Sequence, residues 1–287
     1  MAGERVAFIL GAGAHRPFNM PLGETLKGEV AARLEQQAQS EPDPVKAQLI
    51  EWAYSLRACG VSIDRFLTNR KAADRDVRPL IANVLLQYEQ NIRHEPLKDW
   101  LLYIWPNIIR DKDTISQQFS FITFNYDRTI QYRIARAMHA NWGISDLDAF
   151  EMVEDHLSIY HVYNSLGSLD PRNGDRATRF GDAVDFVNAG RRLKIIGEHD
   201  NATTAEIHRR LEDVTWIFIL GCHFHKENMS LLALDQLRRP IYCSNFGFSG
   251  IEMQTLARLY PYLQLSDSGW DCLSIIRNRP EFQERLA

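Results

Sequence analysis

Cysteine is scarce here and never paired. Cys59, Cys222, Cys243 and Cys272 are scattered along 287 residues with no C-x-x-C spacing. That argues against a zinc ribbon and a disulfide framework, and leaves each thiol the expected role of a small buried hydrophobe. Long apolar runs are missing too: no stretch approaches the ~18 residues of a membrane span, so no membrane partner is expected. There is no basic excess. The formal net charge is -4, which does not advertise nucleic acid or an anionic surface as a direct partner. Internal repeats and low-complexity segments are also absent. Met1-Ala2-Gly3-Glu4-Arg5 leads straight into an apolar strand of about five residues, too short for the core of a secretory signal, so a cytoplasmic location is expected.

What is present is core-forming material. Hydrophobic residues make up 45% of the chain and charged residues 24%, enough for one large domain with an insert, and residues 1–287 are read as a single domain. Val6 to Leu10 is a continuous apolar run that breaks into Gly11-Ala12-Gly13-Ala14, a first strand feeding a glycine turn. Such a turn lets phosphates approach the backbone and the next helix N-terminus. That helix is placed from near Pro21, with Leu22, Leu26, Val30 and Leu34 along one side.

From Val45 to about Ile109 the pattern is almost wholly helical. Leu49, Trp52, Ala53 and Leu56 share a face, Leu80 to Ile92 and Leu97 to Ile109 continue it, and Gly60, Pro96 and Pro106 are the expected breaks. So much helix exceeds one crossover and is read as a helical insert, about 45–110, after the first strand-helix unit and packed over the sheet edge. Its basic cluster, Arg65, Arg70, Lys71, Arg75 and Arg78, alternates with Asp64, Asp74 and Asp76 and reads as a solvated surface.

Further along, strands are expected at Ser120 to Phe124, Ile159 to Val162, Leu193 to Ile196, Trp216 to Leu220, Ile241 to Ser244 and Tyr262 to Leu265. Helices are expected at Arg128 to Ala140, Thr204 to Leu211, Glu227 to Leu237, Ile251 to Leu259 and Cys272 to Leu286. The alternation predicts an α/β fold with a Rossmann-like, mostly parallel sheet and helices on both faces. Asp170 to Asp185, with Pro171, Gly174 and Gly181, is a polar loop with the composition of a mobile lid or partner contact.

Four strand ends carry the chemistry. In Phe121-Ile122-Thr123-Phe124-Asn125-Tyr126-Asp127, two polar side chains stand at the carboxyl end of a core strand, where open α/β sheets bind ligands. Asn and Asp are equally good N-caps for the helix that follows, so both readings stand. In Gly11-Ala12-Gly13-Ala14-His15-Arg16, Arg16 occupies the place where a dehydrogenase fingerprint needs a small residue, and that match fails. In Tyr160-His161-Val162-Tyr163-Asn164-Ser165-Leu166-Gly167-Ser168, His161 and Tyr163 lie two apart and face the same way. Ile217 to Leu220 runs into Gly221-Cys222-His223-Phe224 and a helix carrying Asn228.

In order and spacing these stretches resemble the sirtuin family, and more narrowly its bacterial branch associated with defence against phage. Gly11-Ala12-Gly13 with Asn19-Met20-Pro21 is similar to the family's opening G-A-G-x-S-x-x-x-G-I-P motif, with His15 at the serine and Asn19 at the second glycine. Phe124-Asn125-Tyr126-Asp127 looks like T-x-N-x-D, and Gly221-Cys222-His223-Phe224 with Asn228 like the branch's G-F-G-F and helix-start asparagine. Ser244-Asn245-Phe246-Gly247 and Asp271-Cys272 fall where the family places late loops against ribose and adenine. The family's H-G-S would fall on Tyr163 and Asn164. Here the nearest histidine is His161, on the same strand face, and asparagine at glycine positions is tolerable because it visits positive φ. The helical insert stands where deacylase sirtuins carry a zinc module, so no zinc is expected and peptide deacylation is disfavoured.

The resemblance implies NAD as substrate, its pyrophosphate over Gly11, Ala12 and Gly13 and near Gly221. Pro21, Thr123, Tyr126, Tyr163, Ser165, Cys222, Asn228, Ser244 and Asn245 are further implied NAD contacts. Asn125 would orient ribose or water, Asp127 would support it or face the developing cation, and His161 would take a proton. The base could equally be another group, a buried hydrogen-bonded histidine being the other reading of His161, while Cys222 and His223 read as turn residues. With water as acceptor the implied activity is an NAD hydrolase releasing nicotinamide and ADP-ribose. It would be held in check by a homo-oligomer or by a partner, commonly a hexameric DNA-translocating ATPase. The alternatives are a non-catalytic module sensing NAD or ADP-ribose, and a deacylase or ADP-ribosyltransferase.

Overall fold

The fully buried run Val6–Leu10 becomes β1, the centre of the sheet. The structure, a computed structural model, describes residues 5–109, 118–198, 200–266 and 269–278. Around β1 stand β2 (Phe119–Thr123), β3 (Ser158–His161), β4 (Trp216–Leu220), β5 (Ile241–Cys243) and β6 (Leu263–Gln264) in the order β3-β2-β1-β4-β5-β6. Every neighbouring pair is parallel. Strands buried on both faces need no alternation of polar residues, which is why they read as apolar runs.

Register decides where the chemistry gathers. Leu10 pairs with Thr123 on one side and Leu220 on the other, and Thr123 pairs with His161. Four strands therefore finish level, bringing the segments that begin at Gly11, Phe124, Val162 and Gly221 to one edge. Strand order reverses between β1 and β4, the switch point where such sheets leave a crevice. Beneath that edge Phe8 stacks between its register partners Phe121 and Phe218, centroids 5.3 and 5.5 Å away, with Trp100 at 5.8 Å.

Helices fill the rest. The chain after β1 forms a short 3-10 helix, Ala12–Phe18, then α1 (Gly23–Ala38), α2 (Asp43–Ala58), α3 (Ile63–Asn69), α4 (Asp74–Gln90) and α5 (Leu101–Ile108). Between β2 and β3 lie α6 (Thr129–Trp142) and α7 (Asp146–His156). Beyond β3 come α8 (Phe186–Arg192), α9 (Asn201–Leu211), α10 (Lys226–Leu232), α11 (Gly250–Leu259) and α12 (Cys272–Arg277). α2 packs on α1, and α4 packs on both α1 and α8. Helix α5 starts later than expected because Asp99 Oδ1 accepts from the backbone N–H of Leu101 at 2.8 Å and Leu102 at 3.3 Å, capping it. Pro106 lies inside α5 instead of ending it.

Two other expectations are corrected. Leu193 to Ile196 is not a strand. Leu193 and Ile195 are buried, but the Leu193 N–H closes α8 on Gly190 O, the Lys194 N–H donates to Tyr163 O and the Ile195 N–H to the Glu198 carboxylate, so no ladder forms. The helix expected over Glu227 to Leu237 stops at Leu232, because Ala233 turns left-handed (φ 44°) into the short 3-10 turn Leu234–Gln236. The expected continuation of α12 to Leu286 lies outside the described residues beyond Asn278.

The polar loop of Asp170 to Asp185 is tied down. Ser168 bridges Ala177, Arg192 Nη1 donates to Thr178 Oγ1 at 2.9 Å, and Gly181 N–H donates to Glu89 Oε2 at 3.2 Å. In the basic cluster, Arg65 pairs with Glu227, Arg70 with Glu51, and Arg78 with Asp74 and Glu198. Among the described residues no helix is long and apolar enough to cross a membrane.

Candidate functional site

The two glycine turns at the reversal point touch backbone to backbone. Gly11 N–H donates to Leu220 O and Gly13 N–H to Gly221 O, both at 2.9 Å. A Cβ on Gly11 would sit 2.5 Å from Gly221 O, and one on Gly221, already left-handed at φ 61°, would sit 1.9 Å from Ala14 N. No side chain fits there, so glycine is required at both positions. Ser244 extends the tie, its Oγ accepting from Gly221 N–H at 2.8 Å.

Asn125 joins these turns to the neighbouring strands. Its Nδ2 donates to Gly11 O at 3.0 Å, its own N–H donates to Thr123 Oγ1 at 3.0 Å, and its carbonyl accepts from His161 Nδ1 at 2.8 Å. Asp127 does two things at once. It accepts from Thr129 N–H at 3.1 Å, capping the start of α6, and faces His15 Nδ1 at 2.8 and 3.0 Å. Burial alone would raise this carboxyl, but the adjacent His15 and the hydrogen bonds from His15 and Thr129 outweigh it and hold the pKa at about 2. Asp127 is therefore ionised at neutral pH.

His15 is the residue that sequence reasoning placed in a motif but left out of the site. It is 1% exposed, and its Nε2 is buried without a hydrogen-bond partner among the described residues. The available signal was its position in the opening glycine motif, where the resembling family carries another polar residue. His161 is differently placed. Nδ1 meets Asn125 O and Nε2 meets the Gln131 amide, and burial pulls its pKa down to about 4 against the opposing Asn125 carbonyl and Asp127. It is neutral at pH 7 with both nitrogens engaged.

On the other flank Tyr163 and Tyr126 stand with ring centroids 6.4 Å apart. Tyr163 OH donates to Asn228 Oδ1 at 2.6 Å, and Tyr126 OH donates to Lys194 O at 2.8 Å and to Asp64 from α3. Burial raises both hydroxyls and also raises Asp64, a residue sequence reasoning had assigned to the solvated surface. Asn19 and Asn164 sit at φ 64° and 59°, the left-handed conformation that a glycine would otherwise supply.

The remaining residues play supporting parts. Cys222 is buried, and burial pushes its thiol up, as it does for Cys243 and, to about 12, Cys272. These thiols carry no nucleophilic character at neutral pH. Asn245 is wholly buried, with Nδ2 donating to Ser266 O at 2.7 Å and Oδ1 accepting from Trp270 N–H at 3.1 Å, so it fixes its loop. Ser165 Oγ accepts from Gly167 N–H at 3.3 Å, and Pro21 is buried. Along the edge, Ala12, Gly13, Phe124, Gly221, Phe224 and Asn228 are half-buried and His223 and Phe246 exposed. Two open concavities, one along Arg33, Gln37, Asn83 and Phe186 and one along His208 and Arg239, include none of these residues. Among the described residues no group of three or more His, Cys, Asp or Glu side chains is placed to share a metal.

No family model matches the chain, and no curated protein matches it in sequence.

Proposed function

We propose that this protein is an NAD hydrolase acting at the carboxyl edge of β1, β2 and β4. The observation that carries the reading is the convergence, at the switch point, of two interlocked glycine turns with Asn125 and an ionised Asp127. The sirtuin-like order of those motifs supports NAD as the ligand.

Breaking the bond between nicotinamide and ribose builds oxocarbenium-like charge on the sugar. A fixed carboxylate in a buried setting favours that charge, since its dipoles need no rearrangement as the reaction proceeds. Asp127 supplies the negative group. Asn125, pinned through Nδ2, has its Oδ1 unbonded among the described residues and can orient ribose or water. Water as acceptor gives nicotinamide and ADP-ribose. We further propose that assembly, either with copies of itself or with a translocating ATPase of the kind found beside anti-phage effectors, controls this activity.

The test is incubation of purified protein with NAD, with and without the product of a neighbouring gene, followed by quantitation of nicotinamide. Release that disappears in Asn125→Ala is expected. A second reading, an NAD or ADP-ribose sensor, is favoured by the neutral, fully engaged His161 and by Tyr163 at the family's histidine position. Tight NAD binding with no release under either condition would select it.

A further inference from the structure

The strand edge holds two imidazoles, and their bonding differs. His161 has a partner on each nitrogen. His15 has Asp127 on Nδ1 and, among the described residues, nothing on Nε2. An ionised carboxylate only accepts, so His15 must carry a proton on Nδ1 to bond Asp127, and in its neutral form the ring presents a lone pair at Nε2. A buried acceptor without a donor is unfavourable, and a water or a sugar hydroxyl donating to it would relieve that cost. This is the orientation logic of a carboxylate-bound histidine base.

We infer that His15, and not His161, is the proton acceptor of the site, with Asp127 setting its tautomer. The inference rests on the hydrolase reading. As the oxygen of water bonds to the ribose carbon, the bond from that carbon to nicotinamide breaks and its electron pair stays on the pyridine nitrogen. The proton lost by the water passes to His15 Nε2 and then to solvent. The imidazole thus comes from the first glycine turn, which explains how a chain with Tyr163 in place of the family's histidine can still carry a base. The titratable groups that interact with His15 are Asp127 from the β2–α6 connection and His161 of β3, while Arg133 of α6, paired with Asp99, lies one ring further out over Phe18. His15 also meets the edge of Phe18, centroids 6.2 Å apart.

His15→Asn retains a side-chain N–H for Asp127 but has no atom at the Nε2 position. It is expected to bind NAD, to melt cooperatively, and to release nicotinamide about 10²–10⁴-fold more slowly at saturating NAD. The acid limb of the pH–rate profile should be lost, and added imidazole should restore release in His15→Ala. A purely structural role would move neither the profile nor the rescue. On the wild-type protein, imidazole nitrogen NMR is expected to show Nδ1 protonated and the Nε2 signal moving when NAD is added. A His15→Asn protein with the wild-type rate and profile, or an Nε2 signal unmoved by NAD, overturns the inference while leaving the hydrolase reading intact. A wild-type protein that releases no nicotinamide removes both.

Discussion

Burial acts in opposite directions on the two ionisable groups that flank Asn125. At Asp127 the carboxylate keeps its charge because His15 and the Thr129 N–H compensate for lost water. At His161 the partners are a carbonyl and an amide, and burial dominates, lowering the pKa from 6.5 to about 4. The sign follows from linkage. Between about pH 6.5 and 4 the unfolded chain binds a proton at this position and the folded chain does not, so stability falls as pH falls through that window. Lowering from 6.5 to about 4 corresponds to on the order of 3 kcal/mol across that window. His161→Gln removes that titration, and denaturant melts at pH 7 and pH 4.5 are expected to show a smaller loss in the variant than in the wild type. An equal loss in both would place the acid sensitivity elsewhere.

At the scale of elements, the helices between β1 and β2 reach the site through a buried ion pair. Glu89, near the end of α4, accepts from Arg128 N–H at 2.9 Å and from its guanidinium at 2.5 and 3.2 Å, while Gly181 N–H joins the same carboxylate. Both side chains are almost fully buried, so removing one leaves an uncompensated charge. Glu89→Ala is expected to cost about 3–5 kcal/mol in denaturant unfolding, far more than loss of the exposed, solvent-screened Arg57–Glu35 pair. The turns make a second element-scale case. Gly221→Ala places a methyl 1.9 Å from Ala14 N at a left-handed position, and the backbone contact leaves nothing flexible to yield. It should lower the thermal midpoint sharply or abolish the cooperative transition, whereas Gly28→Ala, with nothing within 4 Å, should be tolerated.

At the scale of the whole molecule, the strand order makes one edge common to both halves of the sheet, and the proposed control by assembly belongs here. Light scattering at micromolar protein is expected to give a mass above the 33.1 kDa of one chain. A fully active monomer would end that part of the proposal. Much of this architecture was legible beforehand. Val6–Leu10 and Trp216–Leu220 read as buried strands because parallel strands covered on both faces leave unbroken apolar runs, and Gly11, Gly221, Asn125 and Asp127 stand out because they end such runs. The same local signal failed at Leu193 to Ile196, where an apolar run is buried by a helix end instead of a ladder. Sequence alone therefore determined the α/β class, most of the strands and the polar residues at their ends, since those follow from composition and spacing within a few residues. Only the tertiary structure decided that Leu10, Thr123 and Leu220 finish level, that the glycine turns interlock, and that His15 meets Asp127 across 112 positions. Those outcomes depend on strand register and on which surfaces meet in space, and no local pattern in a chain encodes either.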